Sequence, residues 1–477
     1  SYIVDFDFSS LYPSTIVTYN MDPSTTFTAK IDENLAYTYI YKKNEMPDVF
    51  DIVLQPYKRN PNVMKTSLQK FEEFLKKVKG IVCINGSIFM GHEFKESFIS
   101  NIVKYLLSSR KEYRNKMKEV SRDSVEYSIY ANRQLVYKIT NNSIYGVLAN
   151  KHFRFFNEEM AEAITKTGQE VSKFAQYHLG NYLKYNKKEI DSDFSIKSED
   201  RIPYICYGDT DSMFVNIYDY LYDKTKLNKD DPEIVSKVLG CCKDLEKILN
   251  EELLIDFVKL HNIDPKYSYL NLKQEVVADR ALFPDVKKRY CLHIINKDGR
   301  EVNEYDIKGI CVKRSEYPDK TKEYIMQLLD LILLPKQLKF HEVRDFILDK
   351  RSEMIDLCVN GDPSIARMAS FSRPIEEYKN GKVPSHVQGM LLWNNLEYEY
   401  FFHGTKGRLF PIRGIDENKA PTHVQEKKHL INEKNTNIVI PEDVEKLPDY
   451  YIVDIEKMID YCWNDRVKEV TDCITKK

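Results

Sequence analysis

Two short apolar runs, 202–206 and 213–215, flank Tyr207-Gly208-Asp209-Thr210-Asp211-Ser212, a pattern that predicts a β-hairpin with the polar residues on or beside its tight turn. A second β-prone run opens the chain. Residues 2–8 alternate weakly between apolar and polar and give way to Ser9-Ser10-Leu11-Tyr12-Pro13-Ser14, so a strand delivers Asp5 and Asp7 to its end and a turn follows. From about 93 to 150 the period lengthens to that of long amphipathic helices, with a polar break at Ser121-Arg122-Asp123. Helical periodicity returns over 153–185 and over 230–260, where Pro232 suits a first turn. Strand patterns follow at 267–275 and 291–295, and Asn296-Lys297-Asp298-Gly299 predicts a further hairpin that leads to 305–309. From about 320 onward the chain reads as largely helical, with looser Pro- and Gly-bearing loops between 380 and 441. The charge-dense segment 417–434 reads as a solvated loop, and no internal repeat or low-complexity tract interrupts the pattern.

Composition narrows this picture. A chain of 477 residues, 42% hydrophobic and 12% aromatic, can bury a large core and is long enough for more than one domain. Its 71 Lys and Arg against 73 Asp and Glu leave a net charge of -2, so any role on nucleic acid must come from segregated charge. Nine cysteines include no C-x-x-C pair, only the adjacent Cys241-Cys242, and no His cluster partners them. That usage argues against a zinc site or a disulfide framework and for reduced intracellular thiols. No apolar run reaches membrane-spanning length and nothing resembles a signal peptide, which predicts a soluble, cytoplasmic protein with no membrane partner. The chain opens at Ser1 directly into strand-like residues, without an initiator Met, and reads as a piece of a longer protein or one subunit of a split one.

Candidate chemistry lies where acids recur at strand ends. Asp209 and Asp211 are two positions apart, so on an extended chain they face one side together, and like charges that close call for a divalent cation. Alone, such a hexapeptide is an ordinary turn. The parallel stretch at Asp7 shifts the balance, because Ser9 and Ser10 then offer exposed backbone N–H groups as an anion cradle beside a carboxylate. An EF-hand loop fails, since the sixth and twelfth positions from Asp5 are Ser10 and Ile16, and from Asp209 are Phe214 and Tyr220. On the predicted helices, Arg110 and Arg114 stand one turn apart, and Lys138, Asn142 and Tyr145 follow at i, i+4 and i+7 with Gly146 closing the row. One such row is commonly a solvated face; two on neighbouring helices favour a pocket for a polyanion. Lys287-Lys288-Arg289-Tyr290 adds a concentrated basic-aromatic patch. Together these are the parts of phosphoryl transfer by two metals about 3.5–4 Å apart, with Mg²⁺ suited to oxygen ligands and substrate phosphates.

These stretches resemble a known family. Asp7-Phe8-Ser9-Ser10-Leu11-Tyr12-Pro13-Ser14 is similar to motif A of family B DNA polymerases, Lys138 with Asn142-Ser143-Ile144-Tyr145-Gly146 to motif B, and residues 207–212 to motif C. Lys287-Lys288-Arg289-Tyr290 resembles the KKRY element, with His152-Phe153-Arg154-Phe155-Phe156 and Ile307-Lys308-Gly309 as further landmarks. Ser372-Arg373-Pro374 and Pro384-Ser385-His386-Val387-Gln388-Gly389 resemble the thumb of the replicative enzymes of T-even-like bacteriophages, which implies host-cell cytoplasm as the setting.

The resemblance implies an α+β right-hand polymerase with an antiparallel-sheet palm (1–96 and 151–311), a helical fingers insertion (97–150) and a mainly helical thumb (312–477). It implies addition of a dNTP to the 3′-OH of a primer–template DNA, with two Mg²⁺ ions for which Mn²⁺ substitutes. Asp7 and Asp211 would bind both metals, Asp209 would be auxiliary, and the Phe8 carbonyl would add an oxygen. Ser10 and Leu11 would present N–H groups to the triphosphate, and Arg110, Arg114, Lys138 and Asn142 would grip it, Lys138 also as proton donor to the departing pyrophosphate. Tyr12 would be the steric gate against a 2′-OH, Tyr145 and Gly146 would pack on the nascent base pair, and Glu275 would be an outer acid. Lys287, Lys288, Arg289 and Tyr290 would bind DNA at the primer end without reading sequence. Asp5 competes for the first ligand position, but the Ser-Leu-Tyr-Pro register favours Asp7.

Departures and alternatives complete the reading. Family members often carry an N-terminal exonuclease, and none precedes Asp7 here, so a separate exonuclease-bearing chain and replication accessory proteins are the expected partners. The phage enzymes end in an apolar clamp-binding peptide, whereas this chain ends Thr471-Asp472-Cys473-Ile474-Thr475-Lys476-Lys477. Residues 31–88 match nothing in the pattern. A non-catalytic DNA-binding relative and an RNA or reverse-transcribing polymerase are the alternatives; adjacent acids in motif C would mark the latter.

Overall fold

The alternation at the start of the chain becomes strand β1 (Ile3–Phe8), which buries Val4, Phe6 and Phe8 on one face and leaves Asp5 and Asp7 partly open on the other. The structure, a computed structural model, describes residues 2–56, 61–188, 194, 201–228, 231–335, 337–378, 383–432 and 436–475. Ser10, in the left-handed region at φ 62° and ψ 61°, turns the strand into helix α1 (Leu11–Thr18), seven of whose eight residues are buried. A helix apolar on every side is one packed all round.

Residues 31–88, which matched nothing in the pattern, belong to a satellite sheet that spans 26–89. Its strands are β2 (Thr26–Lys30), β3 (Val49–Leu54), β4 (Asn62–Ser67), β5 (Ile81–Val82) and β6 (Ser87–Phe89), in the order β4-β3-β2-β6-β5. Helices α2 (Glu33–Tyr41) and α3 (Leu68–Val78), N-capped by Asp32 and Ser67, cover it around Ile31, Phe50, Phe71 and Ile88. Next come α4 (Phe98–Lys118) and α5 (Val125–Leu148), capped by Ser97 and Ser124 and broken at the predicted place. Tyr105 meets Tyr137 and Tyr113 meets Tyr130, a falling order that makes the pair antiparallel. Helix α6 (Glu158–Tyr185) starts after the predicted 153, where Asn157 caps it by accepting from the Met160 N–H at 3.0 Å.

The central hairpin forms as β7 (Ile205–Asp209) and β8 (Ser212–Asn216). Helices α7 (Ile217–Thr225), α8 (Ile234–Lys247) and α9 (Leu254–Leu260) follow, the last two joined by a π-helical turn, Ile248–Leu253. Pro232 stands in the turn before α8 rather than in its first turn, since Asp231 accepts from the Glu233 N–H; Asp230 lies outside the described residues. Strand β9 (Leu272–Leu282) begins five residues later than predicted, because Asp264 and Pro265 start a 3₁₀ turn over Pro265–Tyr267. In the first of two compact units, residues up to Val277 with Asn296–Glu301, the strand order is β9-β1-β8-β7, with β8 antiparallel to both neighbours.

The second unit holds Ala278–Ile295 and the chain from Val302. Strands β10 (Tyr290–Lys297) and β11 (Arg300–Lys308) meet at Asp298-Gly299, both at positive φ as a primed hairpin turn requires. Helices α10 (Asp319–Leu333), α11 (Phe340–Val359) and α12 (Ser385–Leu396) bear out the helical expectation. It missed a four-stranded sheet made by β12 (Arg367–Ser370), β13 (Lys406–Ile415), β14 (Asn437–Pro441) and β15 (Tyr451–Val453). The region 380–441 is therefore less loop-like than predicted. Gly407, Pro411 and Gly414 disguise β13 as loop, yet a Cβ at Gly407 would stand 2.4 Å from the Ile440 carbonyl, so the close strand pairing itself needs glycine. Within 417–434 a short helix, α13 (Thr422–Glu426), replaces part of the predicted loop; Lys434 and the terminal Lys476 and Lys477 lie outside the described residues. Helices α14 (Ile455–Ile459) and α15 (Asp465–Thr475) close the chain, and Trp393, Phe410 and Trp463 are buried in this unit's core. Among the described residues no helix is long and apolar enough to cross a membrane, and all nine cysteines are unbridged.

One polar side chain ties the first unit's elements together. Asn250, on the π-helical turn, donates to the Glu246 and Leu272 carbonyls, both at 2.8 Å, and accepts from the Leu272 N–H at 2.8 Å and from Asn271 at 3.1 Å. The Asn271 carbonyl in turn accepts the Ser9 N–H at 2.8 Å. The start of β9 is thus clamped to the turn that follows β1. Asn250→Ala leaves these partners unmatched and should lower unfolding stability by about 1–3 kcal/mol, read as a drop in the denaturant midpoint. An unchanged midpoint would show that the clamp carries no stability.

Candidate active site

Strand register decides which acids converge. Asp7 pairs with Ser212 in the β1–β8 ladder, and the Phe8 N–H donates to the Asp211 carbonyl at 2.8 Å, so Asp7 and Asp211 emerge side by side from neighbouring chain segments. The turn between β7 and β8 places Thr210 in the left-handed region at φ 51°, and the Asp211 N–H closes on the Asp209 carbonyl at 2.6 Å. The chain is therefore not extended there, so the two acids are not alternate residues of one strand; the ladder pairs Asp209 with Ser212, which itself stands opposite Asp7. Thr210 Oγ1 donates to Asp209 Oδ1 at 3.2 Å.

Asp7 and Asp211 line a cleft of about 400 Å³ with Phe8, Ser9, Ser10, Leu11, Tyr12, Pro13, Arg110, Arg114, Lys138, Asn142, Thr210 and Glu275. Neither Asp5 nor Asp209 is among them. Leu11 to Pro13 are the first turn of α1, which no side chain caps, so the positive end of its dipole and its first N–H groups lie at the cleft.

Helix α4 carries the arginines because its base is bolted to the end of α1. Asn20 accepts the Ser97 N–H at 2.9 Å, Asp22 accepts the Ile99 N–H at 3.0 Å, and Ser100 donates to the Ile16 carbonyl at 3.1 Å. About three turns further on, Arg110 Nη1 donates to Ser10 Oγ at 3.3 Å, while its Nε is buried with no hydrogen-bond partner among the described residues. Burial and then the neighbouring Arg114 pull the Arg110 guanidinium pKa down, which Glu275 partly opposes. A desolvated cation with a spare donor is suited to an anionic ligand. From α5, Lys138 and Asn142 reach the cleft, and Tyr145 packs its ring 5.0 Å from that of Tyr12. Gly146 lies outside the cleft lining, with open space where a Cβ would be. Burial, then Tyr145 and Asp211, push the Tyr12 hydroxyl pKa up, so the ring is neutral at physiological pH.

Does this donor set fit magnesium? Among the described residues no three His, Cys, Asp or Glu are grouped closely enough to hold a metal ion by themselves. Two carboxylates beside a phosphate-sized cleft nevertheless suit Mg²⁺, which takes one or two carboxylates and fills its shell with water and substrate phosphate. An all-protein calcium cage does not fit.

The basic run at 287–290 lies in the second unit. Lys287 and Lys288 are exposed and Arg289 is half-buried, 3.7 Å from Glu469. Tyr290, expected at a DNA surface, is only 2% exposed; its hydroxyl donates to Asp306 at 3.3 Å and Lys308 lies over its ring. It packs the start of the strand that the lysines precede. Lys288 adopts φ 65°, and Gly309 makes room for it, since a Cβ there would sit 2.1 Å from the Lys288 carbonyl. Sequence reading missed Thr210, Asn20, Asp22, Asn250 and Asn271. For Asn20 and Asp22 the signal is the cost of a buried polar side chain, legible only once burial is known; the other three depend on turn geometry and distant partners.

A family model for DNA polymerase family B matches residues 1–390. DNA polymerase 2 of Aeropyrum pernix is 26% identical over 247 residues, covering 51% of this chain and 23% of that protein. The DNA-directed DNA polymerase of Escherichia phage RB69 is 24% identical over 455 residues, covering 86% of this chain and 48% of that protein. This chain thus spans less than half the length of these curated relatives. The solved family B DNA polymerase of the archaeon Pyrobaculum calidifontis superposes with a TM-score of 0.50 at 20% identity, covering 99% of this chain and 45% of that one, a likeness of fold alone. Because the family match runs from residue 1 to residue 390, through every position that lines the cleft, the chain belongs to DNA polymerase family B.

Proposed function

We propose that this chain is the polymerising core of a template-directed DNA polymerase, adding dNTPs to a primer 3′-OH. One observation carries the reading. In a chain of this family, Asp7 and Asp211 share a single cleft with Arg110, Arg114, Lys138 and Asn142.

Charge balance says what the cleft can hold. Three cationic side chains (Arg110, Arg114, Lys138) and three carboxylates (Asp7, Asp211, Glu275) line it, so their formal charges cancel. A nucleoside triphosphate is a polyanion, and a site with no net charge binds it only with added cations. Two Mg²⁺ ions, replaceable by Mn²⁺, would be held by Asp7, Asp211 and the Phe8 carbonyl and supply activation of the primer hydroxyl and neutralisation of the phosphates. Asp209, which does not line the cleft, keeps the auxiliary role.

The chain's own groups do the rest. Ser10 and Leu11 at the open start of α1 offer N–H groups to phosphate oxygens. Arg110, with its buried spare donor, and Arg114 orient the triphosphate, and Asn142 donates beside them. Lys138 Nζ gives its proton to the departing pyrophosphate. Tyr12, neutral and braced by Tyr145, lies where a ribose 2′-OH would collide with it. Tyr145 and Gly146 face the nascent base pair, and Glu275 steadies Arg110 from the outer side. Lys287 and Lys288 hold the primer–template backbone with Arg289 behind them, while Tyr290 supports the segment from within.

In this reading 1–96 and 151–311 are the palm, 97–150 the fingers and 312–477 the thumb. The antiparallel α4–α5 pair supports the fingers assignment. Contacts divide the chain earlier, at Val277/Ala278, so the boundary at 311 rests on the family resemblance. Kinship with T-even-like phage enzymes rests on residues 372–374 and 384–389; the phage RB69 and T4 polymerases match at 24% and 23%, close to the archaeal value.

Primer extension with the purified chain, labelled primer–template, dNTPs and Mg²⁺ tests the reading. Asp211→Ala should cut turnover by on the order of 10³-fold or more while duplex binding stays nearly unchanged; retained turnover removes Asp211 from the chemistry. Lys288→Ala should weaken binding to all primer–templates alike and lower the log–log salt slope by about 1, and a loss confined to particular sequences would contradict the backbone-contact role.

A further inference from the structure

Gly168 is buried in the interior of α6, a helix of 28 residues. Glycine is a poor helix former there, and alanine would ordinarily be better. The surroundings explain the difference. A Cβ on Gly168 would stand 3.0 Å from Tyr12 Cε1, 3.3 Å from Tyr12 Cδ1 and 3.5 Å from Leu11 Cδ2. The first two are tighter than ordinary carbon–carbon contact, so the ring would have to yield by a few tenths of an ångström.

The direction of that movement is constrained. The backbone of α1 is held against retreat, because the helix is buried, the turn before it is tied by the Ser9 N–H on the Asn271 carbonyl, 2.8 Å, and its last turns by the Ser100 hydroxyl on the Ile16 carbonyl, 3.1 Å. Tyr145 already packs on the ring at 5.0 Å between centroids and blocks a second direction. Tyr12 lines the cleft and Gly168 does not, which leaves the cleft as the open side.

We infer that the missing side chain at Gly168 sets how far the Tyr12 ring projects into the nucleotide cleft, making Gly168 a positioning residue for sugar selectivity. The inference rests on the reading of Tyr12 as the steric gate. It assigns selectivity to a residue that touches no substrate and lies 156 positions from Tyr12 along the chain.

A double-mutant cycle tests it, with four chains: the parent, Gly168→Ala, Tyr12→Ala and the double variant, each assayed for extension with dNTPs and ribonucleotides and for melting temperature. Gly168→Ala should raise the dNTP KM by about tenfold, the low end of what one carbon does in a fitted pocket, with kcat little changed and ribonucleotide use lowered further. In the Tyr12→Ala background the same substitution should leave KM unchanged and raise the melting temperature, as alanine does in a helix with nothing to strike. If Tyr12→Ala admits ribonucleotides while Gly168→Ala keeps parental KM and selectivity, the inference is overturned and the gate stands. If Tyr12→Ala leaves selectivity unchanged, the gate reading falls and the inference with it. Equal melting shifts in both backgrounds also overturn it, independently of activity. Should Gly168→Ala fail to fold, recovery in the double variant supports the contact and continued misfolding refutes it.

Discussion

The backbone hydrogen bond from Phe8 to the Asp211 carbonyl, at 2.8 Å, is the constraint on which the site depends. It fixes β1 against β8 so that Asp7 stands opposite Ser212. Side chains alternate along a strand, so a slip of one residue would turn Asp7 inward and push Phe6 and Phe8 out. Full burial of Phe6, Phe8 and Phe214 therefore guards the register, and the register brings together two acids 204 positions apart. Apolar packing on one face is what holds charge in place on the other.

Helix α1 extends this control to the cations. Buried except where Tyr12 meets the cleft, it is held in place, and Asn20 and Asp22 just beyond it grip the base of α4. Arg110 is thereby delivered to Ser10, the residue whose left-handed backbone opens α1. Asn250 and Asn271 hold the same turn from the side of β9. Acids, cations and the Tyr12 ring are all referred to one short buried helix. The result is a cleft whose formal charges cancel.

Much of this was legible in the sequence because it is local. The period-2 run before Asp7, the hairpin around Gly208 and the i, i+4 rows at Arg110 and Lys138 each declare themselves within a few residues, and the elements fall where predicted. What escaped depends on a single dihedral or on distant partners. Asp209 and Asp211 look equivalent until Thr210 adopts positive φ, and only Asp211 lines the cleft. Strand β13 hides behind Pro411, Gly414 and Gly407, the last of which its neighbour β14 requires. The short strands of the 26–89 sheet carry too few residues for a period, and Tyr290, beside three basic residues, is buried in the core.

The account stands on Asp7 and Asp211 holding the same cations. Anomalous diffraction from crystals grown with primer–template, an incoming nucleotide and Mn²⁺ tests this most directly. The account predicts a manganese ion bonded to carboxylate oxygens of both residues. Manganese bonded to only one of them, or bound away from the cleft, would contradict it.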